Sequence, residues 1–168
     1  VGSEMCIRDR AMSIYERAAH SVSEKDRYEM FLFYIAKAAA NYGLVASRPI
    51  YEAAIEILPD RDAVSMCLRF AVLESKLGEM DRARAIYAHA SQFCNPKTQT
   101  EFWKVWNNFE IQNGTEDTFR EMLRIKRSVQ AQYNTDMANV ASSVMASALS
   151  SANAAPDDAA SLSLIHIS

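Results

Sequence analysis

The sequence predicts an all-α solenoid, built from antiparallel helix pairs that repeat about every 36 residues. Three observations predict it. Gly43, Gly78 and Gly114 each close an apolar periodic segment, at intervals of 35 and 36 residues. Ile14-Tyr15, Ile50-Tyr51 and Ile86-Tyr87 recur at 36, with Met122-Leu123 in the next slot. Ala18, Ala54 and Ala90 keep that interval, as do Arg48, Arg84 and Arg120.

Each period holds two helices. The first helices are expected over Glu29 to Tyr42, Val64 to Leu77 and Glu101 to Asn113, where apolar residues recur at three and four. A glycine after each supplies the left-handed backbone that ends a helix without a Cβ clash. Ser23-x-x-Asp26 and Thr98-x-x-Glu101 have the form of capping boxes, and Asp60 or Asp62 can cap the second of these helices. The second helices are expected over Ala11 to Ser21, Ser47 to Leu58, Asp81 to Phe93 and Glu116 to Tyr133. Pro49 fits the first turn of its helix, where its missing N–H has no intrahelical partner. Pro59 and Pro96 stop or follow the second and third. Thr115 caps the last, with Glu116 and Asp117 beside the positive end of its dipole.

Short connections force neighbouring helices antiparallel, and one pair cannot bury its apolar stripe alone. Residues 11–133 therefore read as the repeat array, and 134–160 as a low-complexity, partly disordered tail with one further helix over Met137 to Leu149. Residues 1–10 (VGSEMCIRDR) and 161–168 (SLSLIHIS) break the pattern and read as non-native flanks, like translated adapter sequence, around a piece of a longer protein.

Composition narrows the function. Eighteen basic and 21 acidic residues leave a net charge near −3, which argues against electrostatic binding of nucleic acid or membrane by the chain as a whole. No run of apolar residues reaches membrane-spanning length. Cys6, Cys67 and Cys94 have neither zinc-site nor disulfide-framework spacing, and point to a reducing compartment.

Trp103-x-x-Trp106-x-x-Phe109-Glu110 and Cys67-x-x-Phe70-x-x-Leu73-Glu74 resemble the first-helix pattern of HAT (half-a-TPR) repeats. Arg84-x-Ile86-Tyr87 and Ile14-Tyr15-Glu16-Arg17-Ala18 resemble the second-helix pattern. The run from Met66 to Tyr87, and that from Glu116 to Ala131, are similar to the C-terminal HAT array of the Syf-type pre-mRNA-splicing factors, the XPA-binding protein family of animals. The resemblance implies a nuclear scaffold of the NineTeen-associated part of the spliceosome, with links to transcription-coupled repair. Its partners would be other spliceosomal proteins. Another HAT scaffold of RNA processing, of crooked-neck or cleavage-stimulation type, is the alternative, and a direct RNA-binding module is a second.

Candidate residues follow from the repeat. Phe70, Glu74, Gly78, Arg84, Tyr87, Ala90, Trp103, Trp106, Glu110, Gly114 and Arg120 are the structural repeat positions. Glu74 with Arg84, and Glu110 with Arg120, stand ten residues apart and read as ion pairs within one repeat. Ala38 and Ala39 occupy the acidic slot of the first full repeat, so Arg48 is expected to find another partner or face solvent. Arg124, Lys126 and Arg127 form a small basic cluster for partner or RNA contact, against the plainer reading of a solvated face. His20 and His89 have no ligand-spaced companions, and no Gly-x-Ser-x-Gly turn, Cys–His pair or phosphate-binding glycine loop occurs. The chain reads as non-catalytic, without cofactor, metal or small-molecule substrate.

Overall fold

The computed structural model describes the backbone of residues 2–154 and the side chains from Arg8 onward. Among these residues there are seven α-helices and no strand: α1 Gly2–Ser21, α2 Glu24–Tyr42, α3 Arg48–Ile57, α4 Asp60–Lys76, α5 Met80–Ser91, α6 Thr100–Asn113 and α7 Glu116–Asn153. A 3-10 turn, Leu44–Ser47, leads into α3. Helices α2/α3, α4/α5 and α6/α7 are the three full repeats, and α1 is a second helix without a described first helix before it. The solenoid class is the one the periodicity predicts.

Residues up to Val129 form one compact unit, and those from Gln130 a second. In the first, two apolar clusters run through the layers. One joins α1 to α4 around Phe31, Ile50, Tyr51, Ala54, Met66 and Phe70. The other joins α4 to the opening of α7 around Cys67, Tyr87, Ala90, Trp103, Trp106 and Met122. Ile55 and Ile86 pack against both. Ile14, the first of the Ile-Tyr series, is exposed because nothing described covers that side of α1. In the second unit α7 continues as helix through Asn153, so the expected tail is helical that far, with no break before Met137. Helices also begin earlier than expected, α1 by nine residues and α2 by five. Periodicity marks where a helix is amphipathic, whereas a helix continues wherever nothing terminates it. Residues 155–168, and the side chains of the first seven, lie outside the described residues.

The caps are partly different from expectation. Pro49 does lie in the first turn of α3, and the Thr115 hydroxyl accepts the Thr118 N–H at the start of α7. Ser23, however, spends its hydroxyl on the Asp26 carboxylate, and Gln99 rather than Thr98 precedes α6. Asp60 and Asp62 are inside the first turn of α4, where they act on the helix dipole rather than as caps. The glycines divide as well. Gly78 has φ 79°, and the following Glu79 N–H returns to the Glu74 carbonyl, closing α4. Gly114 is extended, at φ −98° and ψ −178°, a conformation open to any residue. Space is its reason. A Cβ there would stand 2.7 Å from the Glu110 carbonyl oxygen and closer still to Glu110 Oε2. Gly114→Ala should therefore cost about 1–3 kcal/mol through overpacking, read as a lowered urea midpoint. An unchanged midpoint would mean that the Glu110 side chain moves aside freely.

Candidate interaction surface

The repeat positions converge on the contacts between successive repeats. Tyr15, Tyr51 and Tyr87 each face an aromatic 19 residues later, on the first helix of the next repeat. Tyr51 stacks on Phe70 at 5.0 Å between ring centroids, and Tyr87 on Trp106 at 6.2 Å. Tyr15 meets Tyr34 at a tilt, at 6.4 Å. Ala54 and Ala90 are fully buried between the layers, because only a small side chain lets the helices approach so closely. Trp103 is buried beside Trp106 at 5.5 Å and gives its indole N–H to the Cys94 carbonyl.

The ion pairs use the same offset between repeats, which corrects the expected pairing within repeats. Arg48 grips Glu74 with two bonds, Nε to Oε1 at 2.7 Å and a terminal nitrogen to Oε2 at 2.9 Å. Arg84 Nε donates to Glu110 Oε1 at 2.8 Å, and its other arm holds Asp81. Each arginine thus reaches forward 26 residues to the next first helix. A second helix lies between its own first helix and the following one, and Arg48 and Arg84 sit on the forward face. The contact to Glu74 from its own repeat comes instead from Arg82, at 3.3 Å. Arg120 does not meet Glu110; it is 70% exposed and pairs with Glu116 on its own helix.

Both glutamates are buried, Glu74 completely. A carboxylate so enclosed needs a partner, because desolvating an unpaired charge costs several kcal/mol. The Glu74 hydrogen bond holds the Arg48 guanidinium above its ordinary pKa. Glu110 Oε1 also accepts the Trp106 indole N–H at 3.2 Å, tying the aromatic stack to the ion pair. In the first repeat the two corresponding positions are Met12 and Ala38, both packed in the same apolar cluster. Guanidinium and carboxylate are replaced together, which leaves neither charge unpaired.

The remaining candidates lie at the surface. Arg124 is exposed and hydrogen-bonded to Glu121 at 2.9 Å, a contact that lowers the Glu121 pKa. Arg127 is exposed, whereas Lys126 is half-buried with its ammonium 6.0 Å from the Trp103 ring centre. The basic cluster is therefore divided between two faces. His20 and His89 are exposed beside Phe31 and Phe93. Among the described residues, no group of three His, Cys, Asp or Glu is placed to hold a metal, and no helix is long and apolar enough to cross a membrane. Sequence reading missed an exposed apolar stripe in the second unit: Met137, Val140, Val144, Met145 and Leu149. Its spacing of three and four was the available signal.

Burial drives the Cys67 thiol up to about 11 and that of Cys94 up to about 12. At neutral pH neither is a thiolate, and only the thiolate attacks an alkylating reagent. Iodoacetamide should leave both unmodified in the folded chain and label both in urea, as mapped by mass spectrometry. Labelling of either in native buffer would place it outside the core.

The sequence that builds this array, with an aromatic and a buried Glu on one helix answered by Tyr and Arg on the preceding one, is similar to known proteins. The sequence model of the pre-mRNA-splicing factor Syf1/CRNKL1 C-terminal HAT repeat matches residues 2–164. The chain belongs to this family. The match extends into both outer segments that the sequence pattern alone sets apart. Among curated relatives, Pre-mRNA-splicing factor SYF1 of Mycosarcoma maydis is 71% identical over 139 residues, 83% of this chain and 13% of that protein. Those of Aspergillus fumigatus and Mus musculus are 64% and 53% identical, over 81% and 80% of this chain and 16% of each relative. The chain thus spans roughly a seventh of the Syf1 proteins it matches. Each of these relatives is named a pre-mRNA-splicing factor.

Proposed function

We propose that this HAT segment is a non-catalytic protein-interaction scaffold within the NineTeen-associated part of the spliceosome, with a role in transcription-coupled repair. What supports the reading is where the polar and aromatic groups are used. Glu74, Glu110, Trp103, Trp106, Arg48 and Arg84 all serve the joints between repeats. What the segment offers is helical surface, and surface is what a scaffold uses. Deleting it from the full-length protein should remove spliceosomal proteins from its co-precipitate in nuclear extract and depress splicing of a reporter transcript. Unchanged co-precipitation and splicing would overturn the reading. The RNA-binding alternative draws on Arg124, Lys126 and Arg127. It requires poly(U) binding by the chain that falls steeply with salt.

A further inference from the structure

Two successive joints of the array share one lock: a second-helix arginine holds a buried glutamate of the next first helix, and a tyrosine three residues after that arginine stacks on an aromatic four residues before the glutamate. Arg48 and Tyr51 receive Phe70 and Glu74; Arg84 and Tyr87 receive Trp106 and Glu110. The third second helix presents the same face, with Arg120 in the arginine slot and Leu123 in the tyrosine slot. The corresponding positions of a following first helix would be 142 and 146, and these are Ser142 and Ala146. Both lie on α7 itself, so the described residues bring no occupant of this pattern for this joint.

Among the described residues this joint is an open groove. A cavity of about 350 Å³ lies along α6 and α7, lined by Trp103, Lys104, Asn107, Met122, Leu123 and Lys126 among others. Four of these stand one period after residues that pack the preceding joint: Cys67, Leu68, Ala71 and Ala90 precede Trp103, Lys104, Asn107 and Lys126. The groove thus keeps the shape of a repeat interface while two of its apolar positions have become lysines. Arg120 already pairs with Glu116, but Arg84 bonds Asp81 and Glu110 together, so a local acid does not close the slot.

We propose that this groove docks an amphipathic helix from another protein, one that carries an apolar residue followed four positions later by a glutamate, with further acidic residues at its edges. The apolar residue would lie on Leu123 and Trp103, the glutamate on Arg120, and the acidic edges beside Lys104 and Lys126. The same face is filled by a helix of this kind at both preceding joints, and the lysines set the charge of the partner. The proposal rests on the scaffold reading and names one of its surfaces.

The probe is a synthetic peptide of residues 100–113, which holds Trp106-x-x-x-Glu110, carrying Lys104→Glu to make it acidic. Titrated against the full chain by fluorescence anisotropy, it should bind, and Arg120→Ala in the chain should weaken it at least about tenfold. Glu110→Gln in the peptide should weaken it equally, and the two changes together should add little, because they remove one contact. Arg120 is exposed, and unchanged circular dichroism verifies that the variant folds. Absence of binding at ~1 mM peptide, or binding indifferent to Arg120→Ala, overturns the proposal. So does poly(U) binding that Arg120→Ala abolishes when the peptide does not bind, since the face would then serve RNA. A silent peptide leaves co-precipitation by the full-length protein unaffected, so failure here is distinct from failure of the scaffold reading.

Discussion

Arg84→Met should destabilise the fold by about 3–5 kcal/mol, the range for leaving one member of a buried ion pair alone. The Glu110 side chain is fully enclosed, and among the described residues Arg84 supplies the only cation bonded to it. The Trp106 N–H remains, but a neutral donor cannot balance a full charge. Glu110→Met should cost less, because Arg84 is partly exposed and still holds Asp81. The double variant should recover much of the loss, since replacing both partners by apolar groups is often neutral or better. Met12 and Ala38 in the first repeat already show that the fold accepts such a replacement. Urea unfolding of the four proteins closes the cycle. If the single and double variants lose equal stability, Arg84 contributes packing rather than charge.

Trp106→Ala should cost about 3–5 kcal/mol, the range for truncating a buried aromatic. The indole is 1% exposed, stacks on Tyr87, touches Trp103 and Phe102, and bonds Glu110. Truncation would open a cavity at the joint and remove a donor from the buried carboxylate at once. Trp106→Phe should be far milder, because Phe70 fills the same slot one repeat earlier against Tyr51. A cost within ~0.5 kcal/mol for Trp106→Ala, typical of surface sites, would place the indole on an exposed face instead.

The sequence by itself determined the class of fold and its period. Ile50-Tyr51 and Ile86-Tyr87 at one interval, with Ala54 and Ala90, specify buried faces through spacing alone, and burial of an apolar stripe needs no knowledge of its partner. Periodicity does not say which neighbour a face meets. A second helix in a stack has two first helices beside it. Sequence spacing offered Arg84 one glutamate ten residues back and another 26 ahead, with no reason in the string to choose. Tertiary structure decided it, because Arg84 lies on the face turned toward α6. Gly114 is a similar case. Its place after a helix suggested backbone conformation, whereas the proximity of Glu110 and Thr118 makes space the requirement. The slot at Arg120 belongs to the same class of facts. Its residues are plain in the sequence, but their meaning depends on what Arg48 and Arg84 hold, and those contacts lie far apart along the chain.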